Sequence, residues 1–255
     1  MDSGLYAAYT GLLARTQALD TAANNLANAG TAGFRAEREY FRDVLAGMSG
    51  GNDAALAGGD SLVGRAVNDY GVLGGSSIDL GQGAITQTGN PLDLALDGAG
   101  FFAIQTANGV RYTRDGGFTR SNAGELETTT GEPVLDAHGK AITIPSGAVT
   151  VASDGSISVQ TDAGSAVVAQ VGVFDLAQGE LTAEGANRFV AASDTQMRAG
   201  SADVRQGAVE GANQDAVHGT MELLLVQRQA EMMQRALSVF SNDMDKTAAE
   251  VLGKV

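Results

Sequence analysis

The 255-residue chain contains no cysteine, no tryptophan and only two histidines. Without cysteine there is no disulfide, no thiolate nucleophile and no cysteine-bound zinc or iron–sulfur centre. His138 and His218 lie in different regions with no local His or Cys partner, which argues against a histidine metal site. Aromatic residues make up 5% of the chain. Ligand and glycan pockets lean on aromatic surface, so that scarcity speaks against both. No apolar run approaches the roughly 18 residues that span a bilayer, so no membrane insertion is expected. Positive charge is also short: 16 Lys plus Arg stand against 30 Asp plus Glu, a formal net charge of −14, with a pI near 4.4. Nucleic acid and anionic lipid need a basic face, so neither is an expected partner. The acidic surplus reads as solubility. The opening Met-Asp-Ser-Gly-Leu-Tyr has neither a basic n-region nor an unbroken apolar stretch, and no cleaved secretory signal is expected there.

What is present is helical at both ends and β in the middle. Leu5, Leu12, Leu19 and Leu26 recur every seventh residue, with Tyr9, Thr16 and Ala23 four residues after the first three. That narrow stripe is heptad-like and favours a coiled-coil partner over a globular core. Asp2 or Ser3 can cap this helix, and Asn28–Gly33 should end it. Met221, Leu225, Met232, Phe240 and Met244 mark a second helical pattern, capped by Asn213 or Asp215. Running from 215 to 252, it would be roughly 55 Å long at ~1.5 Å per residue, which calls for another helix as partner. From about Ile78 the period falls to two, clearest in Leu92, Leu94 and Leu96. Phe101–Ile104, Val110–Thr113, Val149–Val151, Ile157–Val159 and Val167–Phe174 are further strand candidates. Asn108-Gly109, Asp115-Gly116, Asn122-Ala-Gly124, Ala137-His-Gly139 and Asp154-Gly155 supply turns between them. Phe34–Leu45 is a short helix or an extended segment, Gly47–Gly59 a flexible loop and Ser61–Ser77 extended.

The expected class is α+β. Long N- and C-terminal helices form a coiled-coil-like pair around a central, antiparallel, mainly-β domain. The domains are 1–45 (N-terminal helical segment), 46–77 (extended linker with a Gly-rich loop), 78–200 (β domain) and 201–255 (return segment and C-terminal helix).

Motifs for chemistry are weak. Gly47-Met-Ser49-Gly-Gly51 matches the hydrolase nucleophile-elbow pattern, but a charged segment precedes it where an apolar strand is required. Asp97, Asp115 and Asp154 precede turn glycines without extending to a calcium loop. Gly98-Ala-Gly100 leads into a strand and lacks the third glycine of a dinucleotide fingerprint. No catalytic residue, cofactor or metal is expected.

Four blocks together resemble the bacterial flagellar rod and hook family. They are Ala23-Asn-Asn-Leu-Ala-Asn-Ala-Gly-Thr-Ala-Gly-Phe-Arg35, Pro91-Leu-Asp-Leu-Ala-Leu-Asp-Gly-Ala-Gly-Phe-Phe-Ala-Ile104, Tyr112-Thr-Arg-Asp-Gly-Gly-Phe118 with Gly124-Glu-Leu126, and Gln206-Gly-Ala-Val-Glu-Gly-Ala-Asn213. They stand in family order, with 51–77 the least matched part. Gly30, where Asn or Ser is more usual, is a small departure. One modest β domain is similar to the proximal and distal rod types. Val209-Glu-Gly-Ala-Asn213 and the N-terminal hexapeptide lean to the proximal type, while the Gly47–Gly59 insertion keeps the distal type in play. The resemblance implies a non-enzymatic subunit of the periplasm-crossing rod that transmits torque. It implies uncleaved passage through the flagellar type III export apparatus. Its partners would be copies of itself and other rod and hook-family axial proteins. The helical ends would form the inner layer: Leu5, Leu12, Leu19, Leu26, Phe34, Met221, Leu225, Met232, Phe240 and Met244 as contacts, with Asn24, Asn25, Asn28 and Gly33 shaping the turn out of it. Rival readings are a distal rod or hook-type axial subunit, a non-flagellar secreted fibre subunit and, last, a hydrolase centred on Ser49.

Overall fold

The computed structural model describes residues 2–42, 72–161, 164–176, 181–185, 187–192 and 198–252. The chain divides into two units. The first comprises Met1–Leu26, Arg38–Ser77 and Val217–Val255, the second Ala27–Glu37 and Ile78–Ala216.

In the first unit, helix α1 spans Asp2–Ala27 and helix α2 spans Ala216–Leu252, the latter 37 residues long. Alanine and leucine, both strong helix formers, dominate α1. Among the described side chains its buried face includes Ala14, Ala18 and Ala22, spaced by four residues and therefore on one side of the helix, with Asn25 buried further along. Tyr9 and Leu13 are more than half exposed, and Leu12, Leu19 and Leu26 are half-buried. At Gly11 the backbone comes close to α2, since an added Cβ would lie 3.3 Å from the Met233 methyl. Strand β1 (Glu37–Arg42) pairs with β2 (Val72–Ile78). Of the two sequence alternatives for Phe34–Leu45, the extended one therefore holds for the part described.

The second unit is antiparallel β throughout its named pairings. Its first strands are β3 (Ile85–Gln87), β4 (Leu94–Asp97), β5 (Phe101–Thr106), β6 (Gly109–Thr113), β7 (Phe118–Arg120) and β8 (Leu126–Thr128). Next come β9 (Ala148–Val151), β10 (Ser156–Thr161), β11 (Gly164–Gln170), β12 (Val173–Asp175), β13 (Leu181–Gly185) and β14 (Arg188–Ala191). The last are β15 (Arg198–Ala199), β16 (Asp203–Gln206) and β17 (Ala208–Glu210). Six of them form one sheet in the order β13-β14-β6-β5-β12-β15, and β11-β10-β9 form a second. The return strands make separate ribbons, β16 with β4 and β17 with β3.

Strand β5 shows how the core is divided. Successive side chains of a strand point to opposite faces. Phe102 and Ile104 enter one apolar cluster with Leu94, Leu96, Phe118 and Leu126. Phe101 and Ala103 enter another with Tyr112, Phe174 and Phe189. The rings meet edge to face, Phe102 with Phe118 at 5.2 Å and Phe101 with Phe189 at 5.5 Å between centroids. One sequence expectation needs correction. Val167–Phe174 is not a single strand: β11 ends at Gln170, Val171 bridges to Asp136, and β12 pairs with β5 in the other sheet.

Candidate functional site

The chain enters or leaves the β unit at four points, next to Ala27, Glu37, Ile78 and Ala216. The segments inside those points meet at one place. After α1, Asn28 and Thr31 begin a turn, with the Thr31 amide donating to the Asn28 carbonyl at 2.9 Å. Gly33 completes it at φ +67°, and a Cβ there would overlap the Asp115 amide nitrogen. Only glycine combines that left-handed backbone with that closeness. The Gly33 amide donates to the Glu210 carbonyl at 2.8 Å, and the Ala36 amide to Asn213 Oδ1 at 2.7 Å. The segment after β2 joins them. The Asp79 amide donates to the Ala36 carbonyl at 2.8 Å, and Asn213 Nδ2 donates to the Asp79 and Gly81 carbonyls at 2.8 and 3.1 Å. Gly83 passes so close to the Gly211 carbonyl that no side chain would fit.

At the centre lies an ionic trio. Glu210 is fully buried, and Arg35 and Arg114 are 2% and 3% exposed. Arg35 Nη2 donates to Glu210 Oε1 at 2.6 Å, and Arg114 Nη1 donates to Oε2 at 2.9 Å. The Gly83 amide adds a third donor to Oε1 at 2.8 Å. Arg114 Nη2 also donates to the Gly98 carbonyl at 2.6 Å, and its guanidinium lies 5.4 Å from the Phe101 ring centre. Burial pushes the Arg114 guanidinium below its ordinary value; Glu210 opposes that shift and the Arg35 charge reinforces it. Asn187, at φ +57°, donates from Nδ2 to the Ala32 carbonyl at 2.8 Å and holds the same turn from the far side. We call this arrangement the clasp. It contains no nucleophile and no acid–base pair facing an opening.

Of the residues singled out from sequence, Gly33 and Phe34 lie in the clasp region and are buried. Asn25 is buried on α1, Asn28 is half-buried and Asn24 exposed. Met221, Leu225 and Met232 are 65%, 58% and 61% exposed on α2. The side chains of Leu5, Phe240 and Met244 and all of Ser49 lie outside the described residues. Asn213 does not cap α2; its side chain is committed to Ala36, Asp79 and Gly81, and Asp215 is the residue that directly precedes the helix. His138 is an exposed turn residue, 3.8 Å from Asp136. Arg35, Arg114 and Glu210 went unrecognised as a site. Their only signal was position: each adjoins a glycine-containing turn within one of the four blocks.

A closed site of this kind joins chain segments to one another, an arrangement open to many classes of protein. Comparison with known proteins specifies which. Residues 5–35 match the model for the flagella basal body rod protein, and residues 95–159 match the flagellar hook protein FlgE/F/G D1 domain. The chain is 34% identical over 261 residues to the flagellar basal-body rod protein FlgF of Caulobacter vibrioides, covering all of both chains. It is 34% identical to FlgF of Escherichia coli, over 91% of this chain and 93% of the relative. It is 32% identical to the flagellar basal-body rod protein FlgG of Bacillus subtilis, over 88% and 89%. The chain belongs to the flagellar basal-body rod protein family. It is a structural subunit of the flagellar basal body, with the FlgF type favoured, and no enzyme family is indicated.

Proposed function

We propose that this chain assembles helically through α1 and α2 into the proximal part of the rod, the drive shaft that carries torque across the periplasm. The observation that carries this reading is the outward apolar surface of α2: Val217, Met221, Leu224, Leu225, Met232 and Val239 are each more than half exposed in the single chain. A soluble monomer gains nothing from such a row, whereas a helix entering a coiled-coil-like layer would bury it. The heptad leucines of α1 would complete that layer, with copies of this chain and other axial proteins as neighbours. Because a rod is an open helical array, each copy meets the next through complementary rather than identical faces. The clasp suits the role. It ties together the ends of the segments leading out of the β unit by hydrogen bonds and ion pairs. Delivery would be through the flagellar type III export apparatus, without cleavage.

The test is Leu225→Asp in the full chain. The purified monomer should keep its circular dichroism spectrum while cells carrying it lose motility and rod assembly. Motility at the wild-type level would rule out the inner-layer role of α2. The FlgG similarity supports a distal position as the second reading. Crosslinking from α2 in isolated basal bodies separates the two by which neighbouring axial protein is captured.

A further inference from the structure

We propose that the clasp closes last in folding, so that the N-terminal connector and the C-terminal return segment become fixed in one event. The inference concerns the β unit alone and does not depend on the rod reading. Arg35 and Arg114 are both buried, and Glu210 is the acid that meets each of them. Until Glu210 arrives, closing the site would strand two like charges in a dry interior. Each would then keep its water, because a buried charge is tolerated only when paired. Burial of Arg35 and Arg114 therefore waits for β17.

The core has no such requirement. Both apolar clusters are built from residues between Ile78 and Phe189, with Val204 the sole buried member from the return segment. Strands β5 and β6 form a local hairpin, with Thr106 paired to Gly109. The clasp bonds, by contrast, span separations of 175 residues for Arg35–Glu210 and 96 for Arg114–Glu210. Closing long loops costs entropy that earlier contacts must offset. Strands β16 and β17 lie outside the six-stranded sheet, so they can be added to a body that already exists. The amides of Gly33 and Ala36 both donate to the return segment, to the Glu210 carbonyl and Asn213 Oδ1. The N-terminal connector thus has nothing to hold these amides until the C-terminal one docks. A chain folded in this order bonds the Gly33 and Ala36 amides only as the return segment docks.

Pulsed hydrogen exchange during refolding of the full-length wild-type chain tests the order directly. Gln105 and Leu135, whose amides donate to the Pro133 and Ala103 carbonyls, should be protected first. Gly33, Ala36 and Gly83 should follow after a delay of about tenfold in time, as expected for a late cooperative step. Simultaneous or earlier protection of the clasp amides overturns the proposal. Stopped-flow measurements on Glu210→Gln give a second readout. Unfolding should accelerate about tenfold or more while refolding stays within about twofold of wild type, as for a contact absent from the transition state. Refolding slowed in proportion to the lost stability would also overturn it. If Glu210→Gln does not fold, the wild-type protection order decides alone.

Discussion

Replacing Glu210 with Gln is the sharpest equilibrium probe of the clasp. The change keeps the side chain's shape and one carbonyl oxygen. It turns the other acceptor into an amide whose N–H groups face a guanidinium. Three donors converge on the carboxylate, from Arg35, Arg114 and the Gly83 amide, all at 2.6–2.9 Å. With the charge gone, two buried cations lose their common counter-ion. Removing one member of a buried ion pair costs about 3–5 kcal/mol. Against a total stability of ~5–15 kcal/mol this is a large share. The assay is urea unfolding at neutral pH, followed by the near-UV tyrosine band because the chain has no tryptophan; buried Tyr112 reports on the β unit. A loss below ~1 kcal/mol, the range of an exposed ion pair, would refute the reasoning.

Three further substitutions test other parts of the argument. Gly33→Ala must adopt φ +67° and place a Cβ against the Asp115 backbone; it should cost more than about 2 kcal/mol in the same titration, and a near-neutral result would mean the turn is not held there. Leu225→Asp, at a 58% exposed position, should change monomer stability by no more than ~0.5 kcal/mol, which a thermal melt checks. Burial raises the Asp115 carboxyl; the Gly117 amide opposes the shift and the Asp93 charge adds to it. A carboxyl raised on folding favours the fold below its unfolded value and loses that contribution as pH rises through its folded value. Asp115→Asn keeps an acceptor for Gly117 and should be more stable than wild type at neutral pH, the gain disappearing below about pH 3.9. Urea midpoints of both proteins across pH decide it, and a variant less stable than wild type at neutral pH but equal to it in acid would show the sign to be wrong.

Where pattern alone determines structure, the sequence was readable. Leu94 and Leu96 alternate with small or polar neighbours and β4 holds both, while Leu92 lies in the turn before it. The antiparallel β centre between terminal helices followed from the change of period, and Asn28–Gly33 does end α1. Two kinds of feature resisted. Val167–Phe174 is one apolar run by composition, yet Val171 and Val173 answer to different partners, Asp136 and Phe102. Periodicity carries no information about such a change of partner. The clasp is the harder case. Arg35 stands in a charged stretch that looks solvated, and charged residues are rarely buried unless paired. Their pairing runs across most of the chain, and no local rule connects positions so far apart. The leucine heptad of α1 drew attention away from Ala14, Ala18 and Ala22, which form the buried face within a single chain. Small side chains have little apolar weight in a pattern, although they are what permits close packing.

An ionic centre must offer something an apolar plug would not, because well-packed hydrophobic replacements of buried ion pairs are often as stable or more so. Register is the argument the structure supports. Strand β17 has three residues, with Ala208 opposite Gln87, Val209 opposite Thr86 and Glu210 opposite Ile85. So short a ribbon specifies its alignment weakly, and a slip of one residue turns every side chain to the other face. A slip that put Val209 or Gly211 between the arginines would leave both cations unpaired, so the trio admits one alignment. With methionine at all three positions, Arg35→Met, Arg114→Met and Glu210→Met, that discrimination disappears, since Val209 is then nearly as acceptable in the site. The triple variant should retain wild-type stability to within about 1–2 kcal/mol, unlike Glu210→Gln. It should also show more than one set of amide resonances between 203 and 213, where the wild type should show one. A stable triple variant with a single set of resonances would mean that the turns at Gly33 and Gly83 set the alignment without help from the charges.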